Sequence, residues 1–290
     1  MSTDLAPPAG PLVAVVTGAS SGFGLAIARR LLQEPGARVV LVARREELLA
    51  RHADELGAGR PEGSVTYVAV DLTDDDAPAT VRDHVREHHG APTLLVNNAG
   101  AGYRARFGEE RGGWENVRKT MAINFDAVVR LTEALLPDLR RAAPSSIVNI
   151  SSTAARVGRA GAAAYSASKA ALALWTDGLR AEEAPYGVHV GNVLPGFIPT
   201  EGFPQTELVN HRFGHLILGT PEQVGEAVIE TGLRGKAERY VPRKYEIAAA
   251  LRGALPGVVL KVMGSDKART LTPKSGSDDP AAAPKTSTSA

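Results

Sequence analysis

The chain has 290 residues, of which 22% are charged, with a formal net charge of +1 and no cysteine. The near-neutral charge offers no field that would gather nucleic acid, and the lack of cysteine excludes disulfides and thiol chemistry. No stretch of about 20 uncharged apolar residues could span a bilayer, and the N-terminus lacks the basic start and apolar core of a signal peptide. These features predict a cytoplasmic protein that is long enough for one large α/β domain.

The first predicted elements are a strand, a glycine-rich turn and a helix. Residues 12–17 form a short apolar, β-branched run that is typical of a buried strand. Gly18, Gly22 and Gly24 follow with the spacing Gly-x-x-x-Gly-x-Gly, and residues 25–32 have helical periodicity. Glycines at this point let a backbone approach a pyrophosphate, and a helix N-terminus supplies free N–H groups. The pattern favours a dinucleotide site over an ordinary glycine-rich turn.

The second predicted strand, 37–43, indicates which nicotinamide cofactor binds. An NAD enzyme would place an acidic residue about 20 residues past the glycine turn, to bind the ribose 2′-hydroxyl. Here Arg44 and Arg45 follow the strand at the start of a helix. Arginine there opposes the helix dipole unless an anion such as a 2′-phosphate is bound. We therefore predict NADP, with NAD as the alternative, because the arginines could be solvated and Glu46 or Glu47 could reach a ribose.

Apolar runs predict further strands, and the stretches between them are predicted to be helical. The strand candidates are 64–70, 93–97, 145–151, 188–194 and 239–243. Alternating strands and helices imply a parallel sheet that is covered on both faces, with right-handed crossovers. The predicted fold class is α/β, a doubly wound Rossmann fold with a mostly parallel seven-stranded sheet and helices on both faces.

The predicted organisation is one Rossmann-type catalytic domain over residues 11–263, after a flexible N-terminus over 1–10. A mixed aromatic, aliphatic and polar segment at about 200–220 is typical of a mobile substrate lid. A C-terminal helical segment is expected at about 244–262. The residues 264–290 are rich in Ser, Thr, Pro, Ala, Lys and Asp without apolar periodicity, which predicts a disordered tail.

Tyr165 and Lys169 are four residues apart, and Ser152 stands thirteen residues before the tyrosine. On a helix, positions four apart share a face, so a phenol and an ammonium can lie side by side. A free tyrosine titrates near ~10, and a neighbouring cation lowers that pKa. The trio therefore suggests proton transfer to or from an alcohol during carbonyl redox chemistry.

The same spacing recurs at Tyr240 and Lys244, where it carries no such prediction. Pro242 lies between them and would break a helix, and the residue thirteen positions before Tyr240 is Ala227 instead of a serine.

With these motifs in this order, the chain resembles the short-chain dehydrogenase/reductase family from about residue 12 to about residue 200. The segment 17–24 matches the family's cofactor loop, and Asp71 and Leu72 end the third strand where the family contacts adenine. The segment 97–100, Asn-Asn-Ala-Gly, closes the fourth strand over the cofactor, and 195–200 matches the nicotinamide-side turn. The predicted cofactor-binding residues are Gly18, Ser20, Ser21, Gly22, Phe23, Gly24, Arg44, Arg45, Asp71, Leu72, Asn98, Ala99, Gly100, Tyr165, Lys169, Pro195, Gly196, Ile198 and Thr200.

Asn124, Ser152, Tyr165 and Lys169 occupy the family's four catalytic positions. The resemblance implies that NADPH delivers hydride to a carbonyl carbon while Tyr165 donates a proton to the oxygen, which Ser152 positions by a hydrogen bond. It implies that Lys169 lowers the Tyr165 pKa and binds the nicotinamide ribose, and that Asn124 holds a water in a proton relay. Without the resemblance, Ser152 could be a helix cap or a loop hydroxyl, and Asn124 an exposed helix residue.

The predicted function is that of an NAD(P)-dependent oxidoreductase, an NADPH-linked reductase of a ketone or aldehyde or an enzyme of the reverse alcohol oxidation. The alternative is a cofactor-binding regulatory or scaffolding protein of the same fold with little turnover. A purely binding protein would have no reason to keep the four catalytic residues, so the enzyme is favoured. The resemblance also implies a homodimer or homotetramer.

Arg104, Arg106 and Phe107 could border the same opening as the mixed segment at about 200–220. That mixture of residues favours a largely apolar small-molecule carbonyl or alcohol as substrate, with an anionic end as one option. His84 and His88 are four residues apart, as metal ligands can be. They sit among charged residues without a third ligand, so a solvated helix face is favoured and no metal is predicted.

The C-terminal stretch departs most from the family. Residues 234–261 hold seven Lys/Arg and two Asp/Glu with apolar residues between them. A basic amphipathic element could rest on a membrane surface. A helix that packs on its own domain is favoured, since such helices are common on soluble proteins.

Overall fold

The computed structural model describes residues 11–103, 105–200 and 218–263. The predicted N-terminal extension 1–10, the lid residues 201–217, the tail 264–290 and Arg104 lie outside the described residues.

The centre of the molecule is a seven-stranded parallel sheet with the strand order β3-β2-β1-β4-β5-β6-β7. Short runs of β-branched residues form these strands because such side chains fit a pleated surface that is buried on both faces. The strands are β1 (Val13–Thr17), β2 (Arg38–Ala43), β3 (Val65–Ala69), β4 (Leu94–Asn97), β5 (Ser145–Ile150), β6 (Val188–Pro195) and β7 (Glu238–Val241). The predicted fold class is confirmed, and each predicted strand is present with small shifts at its ends.

The helices are amphipathic; most of them connect strands and pack their apolar sides on the sheet, and the last two follow β7. They are α1 (Gly22–Leu31), α2 (Glu46–Gly57), α3 (Ala77–His89), α4 (Gly113–Met121), α5 (Ala127–Arg141), α6 (Ala163–Glu183), α7 (Pro221–Gly232), α8 (Tyr245–Ala254) and α9 (Pro256–Met263). A π-helical turn (Ala122–Asp126) joins α4 to α5, and short 3₁₀ turns lie at Thr153–Ala155 and Ala184–Tyr186. No helix in the described part of the chain is long and apolar enough to cross a membrane.

The two faces of the sheet carry separate hydrophobic cores. Along β1, Val16 packs with Ile27 of α1 and residues of α2 and α7, whereas its neighbour Val15 packs with Leu131 of α5 and residues of α3 and α6. Successive side chains of a strand point to opposite faces, so one strand supplies both cores. The sheet is thereby covered on both sides, as a doubly wound fold requires.

The strand order reverses between β1 and β4, and their carboxyl ends are tied together at that point. The Thr17 hydroxyl accepts hydrogen bonds from the backbone N–H groups of Asn98 and Ala99, both at 2.9 Å. The Asn98 side chain donates to the Thr17 carbonyl at 2.8 Å. In open α/β sheets, ligands bind in the crevice at such a reversal, so these contacts fix the place of a site.

The C-terminal helices α8 and α9 leave much of their apolar surface exposed. Ile247, Leu251, Leu255 and Val258 are 50–68% exposed. The sequence favoured a C-terminal helix that packs on its own domain, but these four side chains are not packed on the described part of the domain. Tyr245 is the exception: its ring lies against Gly196, where an added Cβ would come within 2.5 Å of the ring.

Candidate active site

The glycine loop between β1 and α1 has a backbone that only glycines can form. Gly18 and Gly22 have positive φ angles of 66° and 55°, a region that other residues rarely adopt. A Cβ at Gly24 would lie 2.2 Å from the Gly18 carbonyl oxygen. The loop therefore runs close under the N-terminus of α1, whose N–H groups can bind a phosphate. This cradle fits the pyrophosphate of a dinucleotide.

Arg45 lies across the glycine loop. Its Nη2 donates to the Ser20 hydroxyl at 2.9 Å and to the Ser21 hydroxyl at 2.8 Å. In the described ranges, it forms no ion pair with a carboxylate. An exposed guanidinium that is held by two neutral hydroxyls is a suitable site for a ribose 2′-phosphate.

Arg44 differs from its neighbour because it faces an acidic residue. Its Nη1 is 3.5 Å from an Asp71 carboxylate oxygen. Burial alone would raise the pKa of the Asp71 carboxyl, but hydrogen bonds from Thr73 and the charge of Arg44 outweigh it and lower that pKa. The sequence predicted the same role for both arginines, but Arg44 faces a carboxylate whereas Arg45 is bonded to neutral hydroxyls.

Two predicted cofactor residues turn toward the core. Phe23 is half-buried against the core on the α1 side, and Leu72 is buried in the core on the other face.

The nicotinamide-side turn meets the glycine loop. A Cβ at Gly22 would lie 3.5 Å from the Thr200 side chain. Within the same turn, Pro195 ends β6 and Ile198 is buried. The turn and the glycine loop therefore border one crevice.

Gly100 lets two predicted catalytic side chains approach the end of β4. A Cβ at this position would lie 2.7 Å from Asn124 Oδ1 and 3.2 Å from Lys169 Nζ. A side chain at position 100 would therefore force the Asn124 and Lys169 side chains away from the end of β4. The segment after β4, the π-helical turn and α6 thus converge on one point.

Asn124 lies in the π-helical turn and is fully buried. Its Nδ2 donates to the Ala101 carbonyl at 2.9 Å and to the Ser168 hydroxyl at 3.0 Å, and its Oδ1 accepts from the Ala101 N–H at 2.9 Å. The interpretation of Asn124 as an exposed helix residue is therefore wrong. An inserted π turn rotates the following residues relative to α-helical periodicity, and such turns are frequent at functional sites.

Lys169 is a buried cation on α6. Its Nζ donates to the Ile150 carbonyl at 2.9 Å. Burial lowers the pKa of the Lys169 ammonium to about 8, because a low-dielectric environment disfavours the charged form.

Ser152 and Tyr165 complete the predicted catalytic set. The Ser152 hydroxyl accepts from the Ala154 N–H at 3.1 Å and donates to the Pro195 carbonyl at 3.3 Å. The serine thus also caps a 3₁₀ turn, in agreement with the alternative prediction of a helix cap. Tyr165 is half-buried in the first turn of α6, with its ring 3.7 Å from the place of a Cβ at Gly102.

Several residues of this region are not among the site residues that the sequence predicts. Thr17 and Ser168 stand inside the motifs, and their hydroxyls tie the site together. Arg159 and Tyr245 carry no motif at all, yet both lie against the nicotinamide-side turn. Periodicity and motif spacing cannot reveal contacts of this kind, because they form between distant segments.

The remaining candidates lie away from the crevice or on its margin. The rings of His84 and His88 stack at 4.1 Å, and His84 Nε2 lies 3.0 Å from the Thr66 hydroxyl. No group of three metal-ligating side chains is found among the described residues. Arg106 and Phe107 are exposed, the latter by 70%.

The sequence is similar to known oxidoreductases over most of its length. Residues 12–208 match the sequence profile of the family described as short chain dehydrogenase. Dehydrogenase/reductase SDR family member 7B of Bos taurus is 31% identical over 264 residues, which cover 87% of this chain and 80% of that relative. Ketoacyl reductase HetN of a Nostoc species is 29% identical, over 82% of this chain and 80% of the relative.

The fold is also similar to that of solved structures. The structure of L-sorbose reductase from Gluconobacter frateurii, complexed with NADPH and L-sorbose, aligns with a TM-score of 0.71 and 27% identity, over 83% of this chain and 97% of that chain. The chain belongs to the short-chain dehydrogenase/reductase family. It is an oxidoreductase that acts on CH–OH or C=O groups with NAD(P) as donor or acceptor.

Proposed function

We propose that the protein is an NADPH-linked reductase of a ketone or aldehyde, or catalyses the reverse alcohol oxidation. The observation that carries this proposal is the convergence of Asn124 and Lys169 on Gly100 at the carboxyl end of β4, beside the glycine loop. A buried cation beside a hydrogen-bonded polar network, in the crevice where open α/β sheets bind their ligands, is typical of a functional site.

The proposed mechanism assigns a role to each catalytic side chain. The reduced nicotinamide supplies a hydride for the carbonyl carbon when it is bound. The Tyr165 hydroxyl donates its proton to the carbonyl oxygen, and the Ser152 hydroxyl holds that oxygen by a hydrogen bond. The positive charge of Lys169 stabilises the phenolate that Tyr165 becomes.

Asn124 is proposed to act by position. Both ends of its amide are bonded to Ala101 and Ser168. This side chain therefore fixes the segment after β4 and the Lys169 end of a proton relay, and does not touch the substrate.

Arg45 supports NADP as the preferred cofactor, whereas Arg44 is opposed by Asp71. The related L-sorbose reductase was solved with NADPH. We expect Arg45→Ala to weaken NADPH binding about 10- to 100-fold more than NADH binding. The loss of one charge-assisted hydrogen bond lowers affinity by about this factor. Arg44→Ala is the matched control and should have the smaller effect. Fluorescence titration measures both, and equal losses for the two cofactors would remove Arg45 from this role.

The reaction is tested on a panel of ketones, aldehydes and alcohols, followed by the absorbance of the reduced cofactor. We expect turnover that Tyr165→Phe abolishes without loss of NADPH binding. If NADPH binds but no panel member is turned over, the proposal fails and the regulatory or scaffolding alternative takes its place.

We also propose a homodimer or homotetramer. Trp114 of α4 and Leu174 of α6 are 69% and 74% exposed, on helices that pack against each other. A contact between subunits would bury such large apolar side chains. Light scattering after size exclusion measures the mass, and a monomer would contradict the proposal.

A further inference from the structure

Arg159 lies between the two catalytic residues Ser152 and Tyr165 in the chain, and its side chain reaches the nicotinamide-side turn. Its guanidinium carbon is 4.8 Å from the centre of the Phe197 ring. Arg159 is partly buried. A guanidinium stacked on an aromatic face keeps its N–H groups available at its edge.

The Arg159 guanidinium has no acidic partner in the described ranges 11–103, 105–200 and 218–263, and it donates no hydrogen bond there. Arg156, three residues earlier, shows the contrast. Its Nη2 binds the Glu238 carboxylate, and its Nε donates to the Tyr240 hydroxyl at 3.2 Å. Arg156 is therefore a structural cation, whereas Arg159 has no carboxylate partner among the residues that the structure describes.

Two tyrosines lie near this charge. Burial lowers the pKa of the Arg159 guanidinium, and the proximity of Tyr165 and Tyr245 works in the opposite direction. Arg159 thus lies within electrostatic range of the proposed proton donor. Tyr245, from α8, packs on Gly196.

A partly buried cation without a counter-charge is costly, and an anionic ligand group would offset that cost. A planar guanidinium fits a carboxylate through two parallel hydrogen bonds. A single unpaired positive charge matches a singly charged group better than a phosphate ester, which carries nearly two charges.

We propose that Arg159 binds the carboxylate of the substrate and so makes the protein selective for keto acids, or for the corresponding hydroxy acids in oxidation. This inference rests on the proposed carbonyl reduction. The carboxylate would bind at the edge of the guanidinium that stacks on Phe197, while the ketone oxygen faces Tyr165. Arg159 is then a specificity-determining residue, distinct from Arg45 at the cofactor loop.

The test compares short straight-chain keto acids with their methyl esters, which keep the carbonyl but remove the charge. For each pair, kcat/KM is measured with NADPH in the wild type, Arg159→Gln and Arg159→Lys. We expect the acid-to-ester ratio to fall about 10- to 100-fold in Arg159→Gln, as the loss of a charge-assisted bond predicts. Arg159→Lys, which keeps a charge without the fork, should fall less.

Arg51→Gln is the control, because Arg51 is an exposed arginine on α2 whose side chain is 62% exposed. It removes the same charge and should leave the ratio and the activity unchanged. NADPH binding to Arg159→Gln, measured by titration, should match the wild type, since the proposed contact is to substrate.

A second measurement needs no variant. A saturated carboxylic acid of the same chain length should inhibit reduction of the ester competitively in the wild type, and its amide should not. Turnover with an unchanged ratio in Arg159→Gln, or no inhibition by the acid, overturns this inference and leaves the proposed function standing. If the wild type reduces neither acids nor esters nor any other carbonyl, both fall together.

Discussion

The start of α6 and the junction of β7 with α8 contain the same sequence spacing, Tyr-x-x-x-Lys, in opposite surroundings. Tyr165 and Lys169 both lie on α6, and Lys169 is buried with its Nζ on the Ile150 carbonyl. Tyr240 lies in β7, while Lys244 is exposed at the N-cap of α8. The two residues of the second pair therefore belong to different elements.

The neighbours of the two tyrosines differ as much as their secondary structure. The Tyr240 hydroxyl accepts a hydrogen bond from Arg156, and burial raises the pKa of this phenol. Tyr165 lies at the crevice with Gly102 across from its ring. A spacing of four residues creates a functional pair only where a continuous helix holds both side chains on one face.

The largest expected effect is on the two tyrosines themselves. Tyr165→Phe should lower kcat about 10²- to 10⁴-fold, because the proton donor is lost while the ring is kept. Tyr240→Phe should keep kcat within a few-fold and act on stability. Steady-state kinetics with thermal melting compares them. Near-normal turnover in Tyr165→Phe would remove the assigned mechanism.

The second-largest effect on kcat is expected from the two lysines. Lys169→Met should lower kcat by about 10²-fold through loss of the charge beside the phenol, and Lys244→Met should have little effect. The pKa of Lys169 is about 8, so its ammonium is charged below that pH and neutral above it. We expect kcat/KM of the wild type to fall as pH rises through about 8. A profile that stays flat across this range would show that the charge is not used.

The region around Tyr240 should instead depend on Glu230 for its stability. This buried carboxylate accepts from Lys236 at 2.8 Å and from Arg243 at 2.9 Å, and it also pairs with Arg239. Burial opposes ionisation, but these hydrogen bonds outweigh it and lower the Glu230 pKa to about 2. A shift from the ordinary value of about 4.3 corresponds to at most about 3 kcal/mol of stability. The exposure of Lys236 and Arg243 to water reduces that value.

A carboxyl whose folded-state pKa is depressed stabilises the fold above its unfolded pKa, and the contribution is lost as the pH falls through the folded value. The stability difference between the wild type and Glu230→Gln should therefore be full at neutral pH and shrink from about pH 4.5 toward pH 2. Urea unfolding at several pH values measures it. A difference that is constant over this range would contradict the assignment.

The smallest effects are expected from the C-terminus. A chain that ends at Met263 should melt and turn over like the full chain, since residues 264–290 have no apolar periodicity. A chain that ends at Arg243 loses Tyr245 from its contact with Gly196, and its melting temperature or substrate range should change modestly. Tyr245→Ala should reproduce that change, because it removes the same contact and leaves the apolar face of α8 and α9.

Liposome co-sedimentation decides what this apolar face does. If the chain that ends at Arg243 stays as stable as the full chain but no longer sediments with liposomes, the membrane interpretation holds. If stability, substrate range and sedimentation are all unchanged, the segment has neither role.

The sequence by itself determined the order of strands and helices along the chain and the position of the glycine loop, and it predicted a catalytic set. The strands could be found because β-branched runs between turn residues mark buried strands, and Gly18, Gly22 and Gly24 because their backbone admits no side chain. These are local properties, which depend on a residue and its near neighbours.

The tertiary structure alone decided the environment of those residues. It placed Asn124 in a buried π turn and set Asp71 against Arg44 but not against Arg45. It also paired Glu238 with Arg156, while Arg159 has no such partner within the described part of the chain. Arg156 and Tyr240, which separate the structural tyrosine from the proposed catalytic one, are 84 residues apart in the chain. Charge, burial and hydrogen bonding are set by contacts between distant segments, so their effects on chemistry appear only once the sheet has brought those segments together.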